Sequence, residues 1–164
     1  MIAIIDYGVG NLFSLRSSFA AIGSEAVVSS DPKVIASADR LILPGVGAFE
    51  DAAKKLSDSG MADVIKREVA QGKPIMGICL GMQLLFDKSY EYGVHDGLGL
   101  IKGNVRPIAD VIDKDLKIPH IGWNALIVKK DSRLFKYLKE GDCVYFVHSY
   151  YAADCDEAVT AVAE

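Results

Sequence analysis

The chain has 164 residues, 51% hydrophobic and 24% charged, a composition typical of a globular domain rather than of a disordered or fibrous protein. Its formal net charge of -4 and the lack of a Lys/Arg cluster argue against nucleic-acid binding. The apolar N-terminus breaks at Asp6 without a basic flank, so it predicts a buried strand rather than a signal sequence or membrane span. Three scattered cysteines predict neither disulfides nor a paired zinc site, which favours a cytoplasmic protein with reduced thiols.

Short apolar runs in the first half of the chain predict four strands, at residues 3–5, 27–28, 41–43 and 74–76. Helical patterns separate these runs. A regular alternation of strands and helices is typical of a parallel sheet that is covered by helices.

The helices are marked by spacing and by capping residues. The first has apolar residues three or four positions apart, at Leu12, Leu15, Phe19 and Ile22. Asn11 suits its N-cap and Gly23 the position after its end. Asp31-Pro32 opens a second helix with a capping residue and a proline, and a third is predicted at residues 61–71, closed by Gly72.

The second half of the chain predicts a different arrangement. Strand-like pieces near residues 100–101, 118–128 and 143–148 are joined by turns, with one short helix at 132–138. We therefore predict an α/β fold in which an open, mostly parallel sheet is flanked by helices and continues into a more antiparallel C-terminal extension. Residues 1–164 are expected to form a single domain.

Cys79 lies in a turn that is typical of a nucleophile. Gly77 and Gly81 flank it two residues away on each side, after an apolar strand and before a predicted helix at residues 80–86. A sharp strand-to-helix turn of this kind exposes the nucleophile at the carboxyl end of the sheet. The helix N-terminus favours the thiolate, and the Leu80 N–H is placed to stabilise an oxyanion. Neither Cys143 nor Cys155 has a glycine two residues away on both sides, and both are predicted to be inert.

A second loop is predicted at the same edge of the sheet. Pro44-Gly45-Val46-Gly47 also follows a parallel strand, and its backbone could offer a second N–H to an oxyanion. Gln83 lies four residues after Cys79, on the same side of the helix start, where its amide could bind a substrate. A plain turn and a solvated glutamine are the alternatives for these two features.

The sequence gives no sign of a cofactor. Gly8-Val9-Gly10 has part of a dinucleotide-binding pattern, but Phe13 stands where the third glycine is needed. No Walker-type phosphate loop and no clustered metal ligands occur in the sequence. We expect the protein to need neither a cofactor nor a metal.

These motifs together resemble the class I (triad-type) glutamine amidotransferases, which have a flavodoxin-like fold. The resemblance covers the whole chain and is carried by five segments, residues 6–12, 44–49, 77–83, 120–124 and 146–150. Within the family, the Asp-Tyr-Gly start and the His-Ile-Gly-Trp-Asn segment are most similar to glutaminase subunits of imidazole glycerol phosphate synthase.

The resemblance implies a role for each matching residue. Cys79 would attack the side-chain amide of glutamine, release ammonia and form a glutamyl thioester. Leu80, Val46 and Gly47 would form the oxyanion hole. Positions that hold the substrate in the family are matched by Gly47, Gln83, Glu91, Ser149 and Tyr150. A carboxylate at residue 91 also suits the α-ammonium group of glutamine.

The resemblance further implies a partner, a (β/α)8-barrel cyclase subunit that receives the ammonia in histidine biosynthesis. Docking is chemically reasonable, because ammonia released into neutral water is mostly protonated and no longer nucleophilic. Asn11 and Trp123 match positions near that interface, although core packing is an alternative for the single tryptophan.

A nucleophilic cysteine of this type needs a base and an orienting acid. The family supplies both from a Phe-His-Pro-Glu segment, but this sequence contains no His-Pro-Glu motif. None of His95, His120 and His148 has a glutamate two residues later, and His148 matches a position that is not catalytic in the family. We therefore expect the base and the acid to lie in a further C-terminal segment.

Three alternatives stay open from the sequence. The chain could be a non-catalytic fragment that only docks on the cyclase, or another class I amidotransferase. It could also be a cysteine hydrolase of the α/β-hydrolase type, but that requires a histidine late in the chain, and none follows His148.

Overall fold

The computed structural model describes residues 1–163. Four parallel strands form the main sheet, in the order β2-β1-β3-β4: β1 (Ile2–Ile5), β2 (Ala26–Ser29), β3 (Arg40–Leu43) and β4 (Ile75–Gly77). The side chains of β1 and β3 form the centre of the core, where Ile5 and Leu43 have no solvent exposure. This strand order is typical of flavodoxin-like sheets. The predicted parallel sheet is confirmed.

Five helices flank this sheet: α1 (Leu12–Ala21), α2 (Pro32–Ser37), α3 (Phe49–Asp58), α4 (Met61–Ala70) and α5 (Leu80–Gln83). The predicted caps are present, since Asn11 accepts a hydrogen bond from the Ser14 N–H and Asp31 accepts one from the Lys33 N–H. Gly23 and Gly72 follow the ends of α1 and α4 with φ of +70° and +88°.

Two helical details differ from the sequence prediction. Helix α3 was not predicted, although Phe49, Ala52 and Leu56 form its buried face. Helix α5 ends at Gln83, and Phe86 is the first residue of a strand, so the predicted helix at residues 80–86 was too long. Leu84, Leu85 and Phe86 are all buried, and a short apolar run of this kind fits either a helix or a strand.

The second half of the chain forms smaller sheets. One has the order β11-β7-β5-β6, with β5 (Phe86–Ser89), β6 (His95–Asp96), β7 (Ile101–Pro107) and β11 (Tyr150–Ala153). Its β5–β7 pair is parallel and its other pairs are antiparallel. The predicted antiparallel extension is therefore confirmed.

Two antiparallel pairs complete the fold. They are formed by β8 (His120–Ala125) with β10 (Cys143–His148) and by β9 (Ile127–Val128) with β12 (Ala161–Val162). The helix predicted at residues 132–138 is a 3₁₀ turn at Arg133–Phe135. The β8–β10 pair ends at His148. Ser149 then connects it to Tyr150, the first residue of β11.

Candidate active site

The backbone at Cys79 makes the sharp turn that the sequence predicts. Cys79 has φ +54° and ψ -120°, a conformation that residues other than glycine rarely adopt. Such backbone strain costs on the order of 1–3 kcal/mol and is typical of functional sites. The turn closes through hydrogen bonds from the Gly81 N–H to the Ile78 carbonyl and from the Met82 N–H to the Cys79 carbonyl. The Cys79 side chain is exposed at the end of β4.

The two glycines that flank Cys79 are required by crowding. A Cβ atom on Gly77 would overlap the backbone of Met82, and one on Gly81 would overlap the carbonyl oxygen of Leu43. Gly45 is equally restricted, since its Cβ would lie 2.6 Å from the Gly81 nitrogen. The loop after β3 and the turn after β4 therefore pack against each other, backbone to backbone.

Residues 44–48, which we call the oxyanion loop, connect β3 to α3. Leu43 and Gly77 are paired in the sheet, so this loop and the cysteine turn leave the same edge, as predicted. The buried Tyr7 hydroxyl donates a 2.7 Å hydrogen bond to the Pro44 carbonyl and anchors the start of the loop. Burial also raises the pKa of Tyr7 well above its usual value. Gly47 has a φ of +91°, and a Cβ atom there would meet no neighbouring atom. Its backbone conformation, and not crowding, therefore favours glycine at this position.

A cavity of about 620 Å³ opens beside Cys79, a size suited to a small-molecule ligand. It is lined by all eight residues predicted to act as nucleophile, oxyanion hole or substrate contacts: Val46, Gly47, Cys79, Leu80, Gln83, Glu91, Ser149 and Tyr150. They come from four separate parts of the chain. Leu80 is the first residue of α5, where backbone N–H groups have no acceptor within the helix.

No sequence feature indicated several other residues that line the cavity. Tyr92, Ala109, Ile118 and Pro119 come from the second half of the chain and line the same cavity. The Tyr92 and Tyr150 rings meet edge to face, with centroids 6.5 Å apart. Burial is the main cause that raises the pKa of Tyr150, and the negative charge of Glu91 raises it further. Only their position in the fold identifies these residues as part of the site.

His148 lines the cavity, but both of its ring nitrogens have partners. Nδ1 lies 2.9 Å from the Tyr150 carbonyl oxygen, which can only accept, so Nδ1 carries a proton. Nε2 lies 3.0 Å from Nδ1 of His120, and Nε2 of His120 lies 2.9 Å from the side chain of Asn124. His148 Nε2 is thus in hydrogen-bonding contact with His120, whichever of the two rings supplies the proton. This arrangement supports a structural role for His148 rather than a role as the base for Cys79.

The two predicted interface residues lie outside the cavity. Asn11 is exposed and caps α1. Trp123 is 70% exposed on β8, and its ring centroid lies 5.5 Å from that of Tyr145 on β10. Core packing, the alternative for Trp123, is therefore wrong.

Within residues 1–163, no three His, Cys, Asp or Glu side chains cluster as metal ligands. None of the helices in the same range is both long and apolar enough to cross a membrane.

Comparison with known proteins gives a consistent result. Residues 3–163 match the family model of class I glutamine amidotransferases. The chain is 54% identical over 157 residues to the imidazole glycerol phosphate synthase subunit HisH of Aquifex aeolicus, which covers 95% of this chain and 74% of the relative. It is 52% identical over 164 residues to the HisH subunit of Caldanaerobacter subterraneus, covering 98% of this chain and 79% of that protein.

Solved structures share the fold at lower sequence identity. A crystal structure described as a glutamine amidotransferase matches with a TM-score of 0.74 and 18% identity, over 98% of this chain and 79% of that one. PurLQS from Thermotoga maritima matches with a TM-score of 0.64 and 21% identity, over 99% and 73% of the two chains. The α/β-hydrolase alternative has no support from any of these matches. From the match over residues 3–163, this chain belongs to the class I glutamine amidotransferase family.

Proposed function

We propose that the protein is the glutaminase subunit of an imidazole glycerol phosphate synthase. In this role it hydrolyses glutamine and delivers the ammonia to a (β/α)8-barrel cyclase subunit, in the cytoplasm, for histidine biosynthesis. Relatives that carry the name of this subunit are about half identical to the chain over nearly its full length. The chain is accordingly an enzyme that acts on glutamine.

One observation carries the proposal. Eight residues that the sequence motifs or the family resemblance predict for the site line one cavity beside the strained backbone of Cys79. A nucleophile, candidate oxyanion donors and a carboxylate within one cavity suit an amide substrate that bears an ammonium group. The position of the strained Cys79 backbone beside this cavity supports a functional role for the turn, since such strain clusters at functional sites.

The chemistry follows from the positions of these residues. The Cys79 thiolate attacks the side-chain amide carbon of glutamine, and the negative oxygen of the tetrahedral intermediate accepts hydrogen bonds from Leu80 and from the backbone at Val46-Gly47. The carbon–nitrogen bond then breaks as the leaving nitrogen takes up the proton that Cys79 gave up on forming the thiolate, so that ammonia leaves and a glutamyl thioester remains on Cys79. Water hydrolyses the thioester to glutamate and restores the thiol.

Substrate contacts are assigned to the other side of the cavity. The carboxylate of Glu91 attracts the α-ammonium group of glutamine, and the amide of Gln83 and the residues Ser149 and Tyr150 offer polar groups for the rest of the substrate. An acid at residue 91 would then select glutamine over amides that lack the ammonium group.

An exposed apolar surface suits the cyclase. The β8–β10 pair directs Ile121, Trp123, Tyr145 and Val147 to one face, and each of these side chains is more than half exposed. We call these four residues the hairpin face. Contiguous aromatic and aliphatic side chains of this kind are typical of protein–protein interfaces. Asn11 is assigned to the same partner from the resemblance alone.

Glutamine hydrolysis by the full-length protein, measured with and without the cyclase, tests the proposal. We expect Cys79→Ala to lower kcat at least about 1,000-fold, because the covalent route is lost. Cys143→Ala is the matched control, since that thiol is exposed but lies outside the cavity, and it should keep wild-type activity.

Two results would contradict the proposal. Activity retained in Cys79→Ala would exclude the covalent mechanism. An inactive wild-type protein that still binds the cyclase would favour the non-catalytic docking alternative. Trapping of the glutamyl thioester, followed by mass spectrometry of the peptide that contains Cys79, would identify the nucleophile directly.

A further inference from the structure

Helix α3 begins directly after the oxyanion loop, and its own sequence does not cap it. Ala48 occupies the N-cap position, and its methyl side chain makes no capping hydrogen bond. The first N–H groups of a helix have no acceptor within the helix and need one from elsewhere. The start of α3 therefore depends on a group from another part of the fold.

Glu91 supplies that group from 42 residues away. Its Oε2 accepts a 2.6 Å hydrogen bond from the Phe49 N–H, the first N–H of α3. A carboxylate at a helix N-terminus makes a short, charge-assisted hydrogen bond and also interacts favourably with the helix dipole. The Phe49 ring is fully buried, so the residue is held by its side chain and by its backbone.

Glu91 is itself held in place by the end of β5. The Glu91 N–H donates a 3.2 Å hydrogen bond to the hydroxyl of Ser89, which has no solvent exposure. Tyr92 follows in the left-handed region, with φ +52°. The Phe49–Glu91 hydrogen bond thus connects the loop after β5 to the oxyanion loop that ends at Ala48.

We propose that Glu91 is a positioning residue for the oxyanion loop, in addition to its role in substrate binding. Its carboxylate caps α3 and thereby fixes the backbone of residues 46–48, of which Val46 and Gly47 line the cavity beside Cys79. A carboxylate has several acceptor sites, so one oxygen can hold Phe49 while the group also faces an ammonium ion. The link to substrate rests on the proposed function, whereas the cap does not.

Amide hydrogen exchange on the free protein separates the two roles, because it needs no substrate. In Glu91→Ala the acceptor is lost, and exchange at Phe49 should be about tenfold faster, with faster exchange also at Val46, Gly47 and Ala48. In Glu91→Gln the amide oxygen can still accept, so exchange should stay within about threefold of wild type. Asp51→Ala, in the same first turn but without this hydrogen bond, is the control and should match wild type.

A second measurement uses the Phe49 amide proton resonance. A charged acceptor shifts this proton downfield more than a neutral one does, so Glu91→Gln should move it upfield even where exchange changes little. An unchanged Phe49 resonance in Glu91→Gln would overturn the cap, as would wild-type exchange at Phe49 in Glu91→Ala.

Alkylation of Cys79 tests the substrate link separately. A chloroketone derived from glutamine should label wild-type Cys79 at least about tenfold faster than the same reagent without the α-amino group. Glu91→Gln should lose this preference and keep the loop protected, whereas Glu91→Ala should lose both. A wild-type protein without the preference, but with a protected Phe49 amide, would contradict the substrate assignment and leave the cap intact.

Discussion

Among the glycines of the candidate site, Gly81 leaves the least room for a side chain. It lies against the carbonyl of Leu43, where only a hydrogen atom fits, and it fixes the distance between the cysteine turn and the oxyanion loop. A side chain there cannot be relieved by a rotamer change, because the overlapping atom belongs to the backbone of a central strand. The need for glycine on both sides of Cys79 could be predicted from the sequence, but the contact of Gly81 with Leu43 could not.

We expect Gly81→Ala to destabilise the fold by about 3 kcal/mol or more, since β3 or α5 must shift to admit the methyl group. Gly72→Ala is the matched control, because Gly72 has a positive φ but open space around it, and it should cost about 1 kcal/mol. Urea unfolding monitored by circular dichroism measures both. Equal losses in the two variants would contradict the crowding argument.

At the scale of elements, capping residues identified helices more reliably than apolar spacing did. Asn11 and Asp31 mark α1 and α2 correctly because a cap is a local hydrogen bond within one turn. Helix α3 has no such local signal, since its cap comes from Glu91 on a distant loop. Its start depends on tertiary structure, so no capping residue in the sequence marked it.

The largely buried side chain of Lys73, which follows α4 in the chain, connects helices α2 and α4. The Lys73 ammonium group donates hydrogen bonds to the carbonyl oxygens of Ile35, at 3.0 Å, and Ala36, at 2.6 Å, near the end of α2. It also lies 2.9 Å from Oε2 of Glu68 on α4, and both side chains are largely buried. The hydrogen bond from Lys73, followed by the one from Arg67, lowers the pKa of Glu68 below its usual value, against the opposing effect of burial.

We expect Lys73→Met to destabilise the protein most at neutral pH, because Glu68 would keep its charge without its main partner. The pKa of Glu68 is lower in the folded state than in the unfolded state, so the unfolded state takes up protons first as the pH falls. The stability that this pair contributes is therefore present above the ordinary carboxyl pKa and is lost in acid. The difference between wild type and Lys73→Met should accordingly shrink below about pH 4.

Thermal unfolding between pH 3 and pH 7 measures this dependence. Lys54→Met removes a comparable pair with Asp58 that is exposed on both sides, and it should change stability little at any pH. A difference for Lys73→Met that stays constant across this range would exclude the ionisation of Glu68 as its cause.

At the scale of the whole molecule, the hairpin face is the exposed apolar surface to which we assign the proposed cyclase partner. Trp123 is its most exposed member, and its ring lies beside that of Tyr145. Tryptophan and tyrosine frequently dominate binding energy at interfaces because they bury large areas with few rotatable bonds.

We expect Trp123→Ala to weaken binding to the cyclase at least about 30-fold, as for a residue central to an interface. Tyr137→Ala removes an aromatic ring of similar exposure outside the hairpin face and should change the Kd less than about twofold. Isothermal titration calorimetry with the purified cyclase gives both values. Equal effects of the two substitutions would assign the interface to another surface.

The sequence by itself determined the family of this protein and most of its strands. The turn around Cys79, the caps of α1 and α2 and the family motifs depend on neighbouring residues, and local patterns record such short-range constraints. Only the tertiary structure decided which distant residues meet. The contact of His148 with His120 and the cap from Glu91 to Phe49 join segments far apart in the chain, and the exposure of Trp123 also depends on the folded arrangement. No local pattern encodes these features, because they arise only when distant segments pack together.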